Sequence, residues 1–176
     1  MTKANIIADS ISPRGIRLTT MHLRYPRFIH SEFMTHRVFS RNARSSRAVP
    51  VSTLMSEEIF MPAMGMNRPG MQSTEKLSPD QLAEAQQTWA ALADTTREGV
   101  KRLQALGVHK QWANRPLEWF GWIDTLVTST DWANFFALRM HEAAQPELRA
   151  LAEEMWAEYE LNDPVPLQPG EWHMPY

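Results

Sequence analysis

The sequence predicts an α+β fold organised as one domain over residues 1–176. Two observations predict it. The first part of the chain is rich in β-formers, around Ile6-Ile7-Ala8 and from Ile16 to Leu23, and Ser12-Pro13-Arg14-Gly15 between them has turn chemistry. Further on, helical periodicity takes over, most plainly from Leu82 to Leu103. A chain of 176 residues is long enough to bury a core of its own.

The elements follow in order. Pro26 suits the first turn of a helix, and Ile29, Phe33, Met34 and Val38 fall near helical spacing, so a helix is expected there. From Arg37 to Ala48 the chain is rich in Ser and Arg without an apolar period. Residues 61–77, with Pro62, Gly65, Pro69 and Gly70, read as a loop. Ser78-Pro79-Asp80-Gln81 then combines an N-cap serine, a proline at the first helical position and a capping-box glutamine. Leu82, Ala85, Trp89, Leu92, Thr96, Val100 and Leu103 repeat at steps of three and four until Gly107 stops the helix. At 1.5 Å per residue, about 28 residues span roughly 42 Å. That exceeds what a small domain needs, so part of this helix is expected to pack against another subunit.

A second helix, from about His109, meets Pro116. Trp122 to Thr128 reads as a strand, Asp131 can cap a helix through Met140, and Pro146 can open another that runs to about Leu161. The tail from Pro164 to Tyr176 is Pro-rich and aromatic. The sequence shows no internal repeat and no second domain.

Composition narrows the function classes. The formal net charge is −2, so no whole-protein field draws the chain to nucleic acid or to a membrane. There is no cysteine, which excludes disulfides, thiolate metal sites and a cysteine nucleophile. The N-terminus lacks the apolar core of a signal peptide, and no apolar run approaches the roughly 20 residues that span a bilayer. A soluble cytoplasmic protein is the expectation. His30 and His36 are six positions apart, which is not one helix face, and the histidines predict no metal site.

Three stretches can carry chemistry. Between Thr35 and Arg47 lie four arginines and three serines, and no acidic residue occurs between Glu32 and Glu57. Arginine forks and serine hydroxyls are the donors a phosphate needs, although a solvated basic loop has the same composition. A nucleic-acid arm would want a wider basic excess and an aromatic ladder. In Asn134-Phe135-Phe136-Ala137-Leu138-Arg139 an arginine stands in an apolar segment. It must reach water, meet an anionic or carbonyl partner, or pair with Glu142 or Glu147. His109 to Pro116 is a basic helix end, which also serves as an ordinary cap.

At these places the chain resembles the flavin-dependent thymidylate synthases, the ThyX family. That family's signature, Arg-His-Arg followed after seven residues by Ser, with Ser-x-Asn-Glu inside and Ser-x-Arg at its end, reads here Thr35-His36-Arg37, Ser40-Arg41-Asn42-Ala43 and Ser45-Ser46-Arg47. The strand and proline that lead into the signature are similar to His22-Leu23-Arg24-Tyr25-Pro26. The family's Asn-x-x-x-Leu-Arg and Ala-Gln-x-Glu-Ile-Arg are matched by Asn134 to Arg139 and Ala144 to Arg149, in the same order and across the long capped helix. The chain departs from the pattern at Thr35, at Ala43, at Ala143, and at Thr128-Ser129-Thr130, where the family has Asn-x-Arg. It also has no counterpart of the family's early His-rich segment.

The resemblance implies a ThyX-like domain with an antiparallel sheet and long helices, assembling as a homotetramer with active sites shared across subunits. It implies that FAD is the cofactor, reduced by NADPH, and that methylenetetrahydrofolate supplies the one-carbon unit that converts dUMP to dTMP. Arg139 would polarise the uracil and act catalytically. Ser45, Ser46 and Arg47 would grip the 5′-phosphate, with Arg115 reaching the nucleotide from another element. His36, Arg37, Asn42 and Asn134 would hold FAD. Two further readings stay open: flavin-dependent C5 modification of another pyrimidine nucleotide such as dCMP or UMP, leaving a methyl or hydroxymethyl group, and a nucleotide-binding protein without catalysis.

Overall fold

The structure, a computed structural model, describes residues 1–73 and 75–176. Thr74, within the loop expected over 61–77, lies outside the described residues. The fold is mixed α+β, and the chain groups into two compact units. The first comprises 1–25, 29–44 and 123–176, and the second comprises 26–28 and 45–122.

The first unit is built on the sheet. Strands β1 (Lys3–Ile11) and β2 (Arg17–Pro26) form an antiparallel hairpin whose turn closes where Gly15 takes a φ of 77°. A register shift between Ile6 and Ala8 marks a bulge in β1. Helical spacing after Pro26 proves misleading. Pro26 is the last residue of β2, a 3-10 turn over Arg27–Ile29 follows, and helix α1 is a single turn, His30–Phe33. Val38 lies outside any helix, with 59% of its surface exposed. Next comes β3 (Ser40–Ala43), a strand inside the stretch that has no apolar period. Pairing with β4 (Trp122–Ser129) makes it, with Asn42 opposite Leu126.

The sheet order is β3-β4-β2-β1-β5, where β5 is the two-residue Val165–Pro166. The expected antiparallel sheet needs one correction: β5 runs parallel to β1. Strand alternation sorts the side chains. Met21, Leu23, Tyr25, Ile123 and Val127 are buried, while His22, Arg24 and Asp124 are half-buried on the polar face and pair across strands. Helices α5 (Ala133–Arg139) and α6 (Pro146–Leu161) pack together, and α6 packs on β1 through its buried Leu148, Leu151, Ala152 and Met155. Each large side chain so buried is worth about 1.5–3 kcal/mol.

No glycine ends α6. Instead Arg17 Nη2 donates to the carbonyls of Tyr159 (2.7 Å) and Asn162 (2.9 Å), while the same guanidinium bonds the buried Asp9 carboxylate at 2.6 Å. On the polar side of the strands, His173 of the tail bonds Ser10 at 2.8 Å and Thr20 at 2.9 Å.

The second unit is dominated by α3 (Pro79–Ala105), which is 27 residues long. Both halves of its capping box form, Ser78 Oγ accepting from Gln81 N and Gln81 Oε1 from Ser78 N. Its end is a Schellman motif: Gly107 has a φ of 75°, its N–H bonds Gln104 O, and Val108 N–H bonds Leu103 O. A short helix, α2 (Val51–Ser56), precedes it. After it, α4 (Lys110–Ala113) leads into a 3-10 turn over Arg115–Trp119 that starts where Pro116 would break an α-helix. No helix among the described residues is long and apolar enough to cross a membrane.

Candidate functional site

Two clusters gather expected site residues, one in each unit: His36 with Arg139 in the first, and Ser46 with Arg115 in the second. In the first unit, α5 ends at Arg139, and its guanidinium turns toward the turn that follows α1. Arg139 Nε donates to His36 Nε2 at 2.9 Å, and its Nη2 lies 3.5 Å from Thr35 Oγ1. His36 is 7% exposed, between the rings of Phe39 and Phe135, whose centroids lie 5.8 Å and 4.8 Å from its own. Burial first, and then the charges of Arg139 and Arg41, lower its pKa from 6.5 to about 4. At neutral pH it is therefore an uncharged acceptor at Nε2. Arg41 fixes the turn itself, donating from Nη1 to the carbonyls of Met34 (2.8 Å) and His36 (3.0 Å).

This arrangement decides one alternative left by the sequence. Arg139 meets an imidazole rather than Glu142 or Glu147, and no acidic side chain pairs with it among the described residues. It stays half-buried and charged, with one guanidinium nitrogen spent on His36. A cation held by a neutral ligand keeps its charge for something else.

Arg37 and Asn134 are exposed, and no hydrogen bond among the described residues joins either to His36 or Arg139. Asn42, also exposed on β3, lines a separate cavity of about 320 Å³ with His22, Arg44, Asp124 and Tyr176. Asp124 there meets Arg24 Nη1 at 3.1 Å, Arg44 Nε at 3.3 Å and His22 Nε2 at 3.3 Å.

In the second unit the loop Ser45–Pro50 is pinned by side chains spaced four apart. Lys110 Nζ donates to Ala48 O at 3.2 Å. Asn114, fully buried, donates from Nδ2 to Ser46 O at 2.8 Å and Val49 O at 2.9 Å. Glu118 accepts from Ser46 Oγ at 2.5 Å. Glu118 also meets Arg115 Nη1 at 3.0 Å and Arg27 Nη2 at 3.4 Å. The structure thus brings Ser46 and Arg115 to one carboxylate. Ser45 and Arg47 are exposed on the same loop, where Ser45 Oγ accepts from Arg47 N at 3.3 Å.

Sequence reasoning missed Asn114, Glu118 and Arg27. Only their proximity to Arg115 and Pro26 could have drawn attention to them. Chemically, the first cluster can stabilise negative charge that develops beside Arg139. The second offers paired guanidinium forks and hydroxyls, a donor set that fits an anionic phosphate.

The sequence model of one family, described as thymidylate synthase complementing protein (Thy1), matches residues 12–165. No match among curated protein sequences reaches significance. Among solved structures, a UMP/dUMP methylase, PolB, from Streptomyces cacaoi bound with 5-Br UMP superposes with a TM-score of 0.74 at 18% identity. It covers 92% of this chain and 89% of that one. The same methylase bound with 5-Br dUMP gives a TM-score of 0.63 at 20% identity, over 82% of this chain and 66% of that one. At these identities the likeness is one of fold.

Proposed function

Since the chain belongs to the thymidylate synthase complementing protein family, we propose that it converts dUMP to dTMP in a flavin-dependent reaction. Methylenetetrahydrofolate is the one-carbon donor and NADPH the reductant in this reading. The observation that carries it is the bond from Arg139 to a buried, neutral His36, which joins the family's two motifs and leaves the arginine's charge uncompensated.

Arg139 faces the pyrimidine. As C5 turns nucleophilic, negative charge grows on the ring carbonyl and N3, and a fixed guanidinium stabilises that charge without reorganising. His36 keeps the fork oriented by accepting at Nε2. Ser45, Ser46, Arg47 and Arg115 hold the 5′-phosphate, and Asn114 fixes the loop that presents the first three. With His36, the exposed polar side chains of Arg37, Asn42 and Asn134 are the proposed FAD contacts, and FAD when bound would supply the reducing equivalents. The single domain expected over residues 1–176 and the homotetramer belong to the same proposal. The family match runs through both units, and α3 leaves Leu92 exposed along its length.

A second reading has its own support. Ala43 replaces the family's acidic residue within the signature, and the fold neighbour is described as acting on UMP as well as dUMP. Methylation of UMP is therefore the alternative substrate choice. The test is a visible spectrum of the purified protein with FAD, followed by mass analysis of products from dUMP, UMP and dCMP with methylenetetrahydrofolate and NADPH. Flavin uptake and a product from dUMP in which a methyl group has replaced the C5 hydrogen, a net gain of CH2, support the proposal. The same product from UMP alone supports the second reading, and a colourless protein that takes up no FAD sinks both.

A further inference from the structure

We infer that Glu118 is a built-in competitor for the substrate's phosphate, occupying donors that an incoming phosphomonoester must take over. The inference rests on Ser46 and Arg115 being phosphate ligands, as proposed above.

Proton counting carries it. Serine has one O–H, and that of Ser46 is given to Glu118 Oε1 at 2.5 Å. While this bond stands, Ser46 Oγ cannot donate to a phosphate oxygen. The same Oε1 takes Arg115 Nη1 at 3.0 Å, and Oε2 lies 3.4 Å from Arg27 Nη2. Donors from three separate segments converge on one carboxylate, which is the coordination a phosphate dianion would draw from them. The side chain of Glu118 is 20% exposed, so it has an open side toward which to turn.

The cluster is also specific in charge. Two guanidinium groups face one carboxylate, leaving a single positive charge that attracts an anion but does not hold it as firmly as two would. A phosphate arriving beside Glu118 meets like charge a few ångströms away, a repulsion worth about tenfold or more in affinity even at the dielectric of water. Glu118 thereby lowers affinity for the phosphate end of the ligand and leaves the pyrimidine end alone. A purely structural Glu118 would do the opposite, since its loss would release Ser46 and Arg115 from their places.

The experiment is calorimetric binding of dUMP, deoxyuridine and inorganic phosphate to the wild-type protein and to Glu118→Gln at fixed ionic strength. Glutamine keeps the shape and removes the charge. The expected result is dUMP bound about tenfold tighter or more by the variant, deoxyuridine within about twofold, and inorganic phosphate displacing dUMP more effectively. Should the glutamine protein lose its melting transition, Glu118→Met, uncharged and similar in volume, is measured in its place with the same expectation. Unchanged or weaker dUMP binding by the variant, with the wild type still preferring dUMP to deoxyuridine, overturns the competitor role and leaves the phosphate site standing. If the wild type binds dUMP and deoxyuridine equally, the phosphate site itself is wrong and the inference falls with it.

Discussion

Arg139 donates through Nε to Nε2 of His36 at 2.9 Å, so the last residue of α5 is tied to the turn after α1 by a bond between a cation and a neutral ring. The bond fixes one edge of the guanidinium, and Nη2 of the same group reaches Thr35 Oγ1 at 3.5 Å. Arg139→Lys keeps the charge and loses the fork. Turnover should fall by about 10²-fold or more, with nucleotide affinity and melting temperature little changed. Single-turnover flavin oxidation, read beside a melting curve, checks this. Intact chemistry with a lowered melting temperature would assign Arg139 to the fold alone.

His36 gives a pH dependence with a definite sign. Its pKa is lowered from 6.5 to about 4 in the folded protein, so between those values the unfolded chain binds the extra proton. The contribution of neutral His36 to stability is complete above 6.5 and is lost as pH falls through about 4. Urea denaturation midpoints should therefore drop more steeply over this window in the wild type than in His36→Gln. Parallel curves for the two proteins would contradict the shift.

Arg47→Ala tests the phosphate loop from the solvent side. Hydrogen bonds to charged groups are worth about 1.5–3 kcal/mol, so dUMP binding should weaken by roughly 10- to 150-fold. Deoxyuridine binding should barely move. Equal losses for both ligands would mean that Arg47 acts on the fold or on the base.

Asn114→Ala removes both bonds that hold the loop at Ser46 O and Val49 O. Leaving two carbonyls without their donor should cost about 2–4 kcal/mol in urea denaturation. Affinity for dUMP should fall as well, because the loop that presents Ser45 to Arg47 is no longer pinned. A stable variant with normal dUMP binding would show that the loop is positioned by other means.

Ser78→Ala should lower stability by about 1 kcal/mol through loss of the capping box, without touching ligand binding. A denaturation curve beside a dUMP titration separates the two.

Helix α3 was legible because both of its ends are written locally, in Ser78-Pro79-Asp80-Gln81 and in Gly107. By contrast β3 was not, because Ser40-Arg41-Asn42-Ala43 has no apolar alternation and becomes a strand by pairing with β4 far along the chain. The helical spacing from Ile29 to Val38 misled for a related reason. Spacing records which residues could share a face, and β2 continues through Pro26 before any helix can begin. The site divides in the same way. The dense arginines and serines from Arg37 to Arg47 stand out in composition. Asn114 and Glu118 are single polar residues whose meaning lies in partners 68 and 72 positions away. Likewise, the preference of Arg139 for His36 over a nearby glutamate is a choice made across 103 positions.

The bond between Ser10 and His173 joins residues 163 positions apart. During synthesis β1 is made well before β5 and the segment after it, so its outer edge waits for them. Closing so long a loop carries an entropic cost that grows with the logarithm of its length, so the helices and the hairpin should form before this end is sealed. Until then the edge of β1 beside Ser10 and Ile11 offers open hydrogen-bonding groups to any neighbouring strand. A ribosome stalled before Val165, or a protease that trims the tail, would leave that edge bare, and self-association would be the consequence to expect.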